Sequence, residues 1–280
     1  MMAKVSDEVR LQYVERIKPY QAEIDAIIKR EKILLQKIKT NSHKAAVKRL
    51  SLAGEMISLT ASYIILSGVS QSMIKQRNEE ALNDARKALY KAIIYLEEVV
   101  SPYVDAPFSE YEERLAEIES VEAGKRYLLV RKLGLVLQLL KNAYGDNTKW
   151  KWAFVEIEGR FAAVVKNILN LKTAVANTDP RSPDYEPTVY HITLMKKLLA
   201  QAADRYRERY ELSTNLLDDF KKGIDFLNSL KRIHVVLGER SDAESAKKKS
   251  ANWTAKFEKD IKKEKDTKDK DKEETAQKRL

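Results

Sequence analysis

Apolar residues recur along most of the chain in alternating steps of three and four, a spacing that places them on one face of a helix. The first stripe contains Val14, Ile17, Gln21, Ile24, Ile28, Glu31, Leu35 and Ile38, and the second contains Leu50, Ala53, Ile57, Thr60, Ile64 and Ser67. Further stripes run through residues 82–99, 129–143, 154–175 and 199–237. The pattern predicts an all-α protein: an elongated bundle of five or six long antiparallel helices with coiled-coil-like packing.

The segment 56–74 is the longest uncharged part of this pattern. It holds large apolar residues together with small ones such as Ser67 and Gly68, which favour close helix contacts. Its length also meets the requirement for a membrane span, about 20 residues. Seven of its nineteen residues are Ser, Thr or Gln, which contribute little to membrane insertion. The composition therefore favours the most buried helix of a soluble bundle over a membrane span.

Breaks in the pattern fall mainly at proline. Two Pro-bearing loops are predicted, at 101–108 and 177–187. Between them, Ser109 is expected to cap one helix that begins with acidic residues and becomes basic by Lys132. The last helix is predicted to run without a break from Thr188 to Leu237. Whether the helices on either side of Asn78 form one rod is left open, since Asn78 is a possible N-cap.

Charge and apolar content change near residue 240. Residues 1–240 are predicted to form the helical bundle, and residues 241–280 a charged, largely disordered or transiently helical tail. Trp253, Phe257 and Ile261 are the exception, because they would share one face of a helix formed on binding. Two interpretations of that stripe remain, a fortuitous pattern and a docking motif.

Several kinds of chemistry lack their sequence signatures. The chain has no cysteine, and its histidines His43, His191 and His234 stand far apart without metal-ligand spacing. Neither a glycine-rich phosphate loop nor a G-x-S-x-G motif occurs. We therefore expect a non-enzyme with no catalytic residues, cofactor, metal or small-molecule substrate. The first residues lack the apolar core of a secretory signal, so a cytoplasmic location is expected.

One stretch concentrates positive charge, within a chain whose formal net charge is +10. The segment 29–49 contains a single acid, Glu31, and eight basic residues: Lys29, Arg30, Lys32, Lys37, Lys39, Lys44, Lys48 and Arg49. The predicted binding residues are these eight and Ile33, an apolar residue that falls on the basic side of the helix. A helical hairpin with a basic tip would result, able to meet nucleic-acid phosphates, acidic lipids or an acidic protein. The alternative is a solvated face neutralised by the acids of segment 110–122.

These observations predict a non-catalytic structural, scaffolding or assembly protein that acts through helical surfaces. A protein partner or self-association is expected from the helical seams. The alternative function is binding to an anionic surface, either nucleic acid or membrane, through the basic hairpin of residues 29–49.

Overall fold

A computed structural model describes residues 6–41, 44–145 and 150–277 of the chain. The helices are α1 (Asp7–Thr40), α2 (Ala45–Ile74), α3 (Glu79–Glu97), α4 (Glu112–Ala116), α5 (Ala123–Tyr144), α6 (Lys151–Asn167), α7 (Leu171–Ala176), α8 (Tyr185–Arg209), α9 (Leu217–Val236) and α10 (Arg240–Gln277). A 3-10 turn covers Phe108–Glu110 and a π-helical turn covers Tyr210–Thr214. No strand occurs in these ranges, so the all-α prediction is confirmed.

The chain forms two compact units, one ending at His191 and the other beginning at Ile192. The first unit contains α1 to α7 and the second contains α9 and α10, while α8 spans the division. The sequence predicted a different kind of division, between a folded bundle (1–240) and a tail (241–280). That domain division stays a prediction.

Helix α2 is central to the first unit, where it packs against α1, α3 and α5. The predicted seam of α2 is largely buried, including Leu50, Ala53 and Ile57. Buried hydroxyls of this helix donate to nearby carbonyl oxygens: Thr60 to Met56 at 2.8 Å, and Ser70 to Gln76, just beyond the helix, at 2.6 Å. A narrow exposed strip remains at seven-residue intervals, formed by Ser51, Ser58, Ile65 and Ser72. Helix α2 is therefore covered on most sides, as its composition predicted.

In the described part of the chain, α2 alone has the length and composition to cross a membrane. Its most apolar window has a mean hydropathy of 1.4, and 44% of that window is buried inside the protein. A core helix of a soluble protein passes the same test, so this property is weak evidence for a membrane span.

The chain between α2 and α3 shows whether the helices on either side of Asn78 are continuous. Lys75 adopts a left-handed conformation with φ of 56°, which ends α2. The Asn78 side-chain oxygen then accepts from the Ala81 amide at 2.9 Å and caps α3. The two helices are separate, which answers the question that the sequence left open.

Two long helices predicted from sequence are shorter in the structure. The acidic-to-basic helix is divided, since α4 ends at Ala116 and α5 begins at Ala123. The last helix is interrupted by the π-helical turn and by Asn215, whose φ is 49°. At that break the Thr214 hydroxyl donates to Asp219 at 2.7 Å. The break thus arises from polar side chains rather than from proline or glycine.

The prediction for the C-terminal region is corrected in part. The sequence predicted a largely disordered tail, whereas α10 begins at Arg240 and packs against α9. Trp253 is only 5% exposed, with its ring 6.0 Å from that of Phe220. The prediction of disorder is therefore wrong for residues 241–262, because an aromatic contact anchors the helix. For the remaining residues it stays a prediction.

Candidate binding surface on the first helical hairpin

Helices α1 and α2 form a hairpin whose turn lies next to most of the predicted binding residues. At the end of α1, the Asn41 amide donates to the Lys37 carbonyl oxygen at 3.1 Å. Lys44 enters α2 in a left-handed conformation with φ of 55°. The Lys48 ammonium then reaches back to the Asn41 carbonyl oxygen at 3.0 Å. His43, which was predicted to lie in this turn, falls outside the described residues.

Three of the predicted binding residues have partners within the fold. Arg30 donates to Glu55 at 3.0 Å and to Glu23 at 2.9 Å. Both bonds raise the pKa of the Arg30 guanidinium, and the bond to Glu55 has the larger effect. Arg49 pairs with Glu98 at 2.6 Å, and Lys48 closes the turn as described above. These three residues stabilise the hairpin and its packing on α3.

The other cations are free. Lys29, Lys32, Lys37, Lys39 and Lys44 are exposed, and none of their ammonium groups makes a hydrogen bond or ion pair with another described residue. Ile33 lies among them on α1 and is 52% exposed. We call these five lysines and Ile33 the basic surface. Their charges face solvent and are available to a ligand.

Neutralisation by the acidic segment 110–122 was the alternative interpretation. Glu112 instead pairs with Lys172, and Glu122 pairs with Lys125 at 3.1 Å. Among the described residues, no ion pair joins this segment to the basic surface. The five lysines therefore keep their charge uncompensated by direct contact.

The single acid of the basic segment has a separate role that its sequence position only hinted at. Glu31 is buried and faces α3, where Lys91 donates to both of its oxygens at 3.1 Å. Tyr95 donates to the same carboxylate at 2.6 Å. Burial, followed by this hydrogen bond, raises the pKa of Tyr95. In the sequence, the signal for this contact is that Glu31 occupies a position of the apolar seam.

A second feature of the hairpin is an exposed apolar strip near the start of α1. The predicted seam is buried at Ile24 but exposed at Val14, which is 47% accessible. Leu11, one turn earlier, is 70% accessible, and Ile17 is half-buried. We call Leu11, Val14 and Ile17 the apolar strip. The heptad pattern of α1 thus continues past the part of the helix that other described residues bury.

Two of the histidines, His191 and His234, lie in the described part of the chain and contact other protein groups. His191 is buried, and its Nε2 lies 2.8 Å from the Val165 carbonyl oxygen. His234 Nδ1 lies 2.5 Å from a Glu239 oxygen. His234, Glu239 and Asp242 each offer one potential metal-ligand atom, and these three atoms lie within 4.8 Å of one another. Glu239 also accepts from Lys196 at 2.6 Å, so its charge is already balanced without a metal.

Comparison with known proteins finds one family. The model of the TP0443 family matches residues 9–261, a range that covers most of both helical units and all of the basic surface. No curated protein and no solved structure matches the chain.

Proposed function

The chain belongs to the TP0443 family, and we propose that it is a non-catalytic scaffolding or assembly protein that binds a protein partner, or a second copy of itself, through its first helical hairpin. The observation that carries this proposal is the apolar strip. Val14 begins the predicted seam of α1 and Leu11 extends it by one turn, yet both remain exposed. An apolar seam at heptad spacing is what a partner helix packs against.

The proposal includes coiled-coil-like packing between antiparallel helices in an elongated bundle. The support is the alternation of three and four residues along α1 and α2. A non-catalytic role is supported by the sequence, which has no cysteine, phosphate loop or nucleophile motif. A cytoplasmic location fits the same proposal, because a chain without cysteine suits a reducing compartment.

The experiment measures the molar mass of the purified full chain by size-exclusion chromatography with light scattering. We expect a defined oligomer or a stable co-purifying protein. The double variant Leu11→Glu/Val14→Glu should lose that assembly, because it places two charges on the apolar strip. Arg16→Glu is the matched control: it lies on the opposite side of α1, is exposed, and lowers the net charge by the same amount.

Either of two results would contradict the scaffold proposal. One is a wild-type monomer that co-purifies with nothing. The other is an assembly that survives in the Leu11→Glu/Val14→Glu variant while that variant keeps its helical circular dichroism.

A second candidate function is binding to an anionic surface, supported by the five unpaired lysines of the basic surface. Clustered cations bind phosphates with an affinity that falls steeply as salt rises. They also attract acidic lipid headgroups. The ligand would be nucleic acid or an acidic membrane, and Ile33 would add an apolar contact at either.

This candidate is tested with duplex DNA, single-stranded RNA and phosphatidylserine vesicles, each titrated with the full chain at two salt concentrations. We expect one of the three to bind in a salt-dependent way. Lys37→Glu/Lys39→Glu should abolish that binding, whereas Arg131→Glu/Lys132→Glu should not. The control pair is exposed on α5, has no described ion pair, and carries the same charge change. Equal binding by both variants would eliminate the basic surface as the site.

A further inference from the structure

A cavity of about 540 Å³ lies in the first unit. Its walls come from α4, the start of α5, α7 and the segment that leads into the first turn of α8. Leu115, Leu169 and Ala174 form a buried apolar floor, while Glu119 and Glu122 lie at an exposed rim. Cavities of this volume are typical of sites for small molecules.

Arg126 is the only cation that lines this cavity among the described residues. Its Nε is buried and has no hydrogen-bond partner in the described ranges of the chain. No ion pair or hydrogen bond joins its guanidinium to any other described residue. A buried N–H without an acceptor is unfavourable, so an acceptor supplied by a ligand would be bound at this point. Burial lowers the pKa of Arg126, while the charges of Asp184 and Glu119 act against that effect.

The carboxylates around the cavity fall into two groups. Glu112 and Glu122 already have lysine partners, Lys172 and Lys125. The carboxylates of Glu119 and Asp184 have no hydrogen bond or ion pair with other described residues. The cavity therefore offers one cation and two anions that attract one another but have no direct hydrogen bond or ion pair with described residues, above an apolar floor.

We propose that this cavity binds a small zwitterion, specifically a free α-amino acid with an apolar side chain. Its carboxylate would accept from Arg126, whose planar donors match a carboxylate. Its ammonium group would lie against Glu119 and Asp184, and its side chain against Leu115, Leu169 and Ala174. A simple anion would meet the repulsion of the carboxylates, and a simple cation would leave Arg126 without an acceptor.

This inference is independent of the proposed scaffold function. The sequence predicted no small-molecule substrate, and this cavity would hold the amino acid as a ligand rather than as a substrate. Residues 112–126 and 169–188 create the site only when they pack together. Their spacing in the sequence therefore gives no local motif.

The experiment titrates the full chain with a panel of apolar α-amino acids by isothermal titration calorimetry. Each amino acid is paired with two analogues, the carboxylic acid without the amine and the amine without the carboxylate. We expect at least one amino acid to bind, and both of its analogues to bind at least tenfold more weakly. Binding by none of the amino acids, or equal binding by a singly charged analogue, would overturn the proposal.

Variants then locate the site. Arg126→Gln and Asp184→Asn should each weaken binding of that amino acid by tenfold or more. Arg131→Gln on the same helix removes an exposed cation outside the cavity and should leave binding unchanged. Folding is checked by circular dichroism, and if Arg126→Gln does not fold, Asp184→Asn and Glu119→Gln carry the test. Unchanged binding in the folded cavity variants would place the ligand elsewhere and overturn the assignment.

Discussion

The hydroxyl of Tyr95 donates a hydrogen bond to the carboxylate of Glu31 at 2.6 Å, joining α3 to a charge buried on α1. Lys91 completes the carboxylate's partners from the exposed side. A buried carboxylate is tolerated only when its oxygens are paired and hydrogen-bonded. Both helices pack on α2, and this polar cluster joins them to each other directly.

Tyr95→Phe should destabilise the first unit. The substitution keeps the ring but removes a hydrogen bond to a buried charge, a change that typically costs about 1.5–3 kcal/mol. Urea denaturation followed by circular dichroism measures the loss in free energy of unfolding. Tyr103→Phe is the matched control, because Tyr103 is exposed and should change stability by less than about 0.5 kcal/mol. Equal effects of the two substitutions would show that the Glu31 contact contributes little.

The part of the fold that periodicity encodes could be predicted from sequence. Ile24, Ala53 and Ile57 lie on predicted seams and are buried, because helical spacing records which side faces a core. The break after Thr214 could not be predicted in this way, since no Pro or Gly marks it. It depends on Asp219, which also pairs with Arg209 across the turn. Contacts of this kind form only once the flanking helices pack.

On the candidate surface, too, the sequence predicts which residues are exposed but not which of them form ion pairs. Spacing and charge correctly placed Lys29, Lys32 and Lys37 on the exposed side of α1. They could not show that Arg30 and Arg49 are paired, because Glu55 and Glu98 lie on other helices. Ion pairs between distant segments depend on the packing of helices, which local sequence does not record.

His191 should make the first unit sensitive to mild acid. Its ring is fully buried, and burial lowers its pKa to about 4, with Arg126 acting in the same direction. In the unfolded chain the pKa is about 6.5, so the unfolded state takes up the proton first as pH falls. Stability is therefore complete above about pH 6.5 and is lost as pH falls toward 4. Between pH 7 and pH 5 the loss from this residue is about 2 kcal/mol.

His191→Gln tests that contribution, since the Gln amide can still donate to the Val165 carbonyl oxygen but does not titrate. Urea denaturation of both proteins at pH 7 and pH 5 gives the comparison. The variant should lose about 2 kcal/mol less than the wild type over this interval. Parallel pH profiles of the two proteins would mean that folding does not lower the pKa of His191.

Gly223 and Gly68 should respond in opposite directions to alanine. A Cβ at Gly223 would lie 3.1 Å from the Ala203 carbonyl oxygen and 3.3 Å from the Trp253 ring, so α9 could not keep its approach to α8. Overpacking of this kind costs about 1–3 kcal/mol, reduced by the higher helix propensity of alanine. At Gly68 nothing lies within 4 Å, and Gly68→Ala should stabilise by about 0.5–1 kcal/mol. Thermal unfolding of both variants checks the signs, and a stabilising Gly223→Ala would contradict the close crossing.

Trp253→Ala should test whether α10 is part of the folded second unit. Trp253 is buried against Phe220 on α9, with Arg207 5.1 Å from its ring centre. Removal of a buried Trp side chain costs about 3–5 kcal/mol, which should release α10 and expose it to protease. Limited proteolysis and urea denaturation measure these two effects. Asn252→Ala, at the exposed neighbouring position, should leave both unchanged. If Trp253→Ala behaved like that control, the C-terminal segment would be the independent tail that its composition predicted.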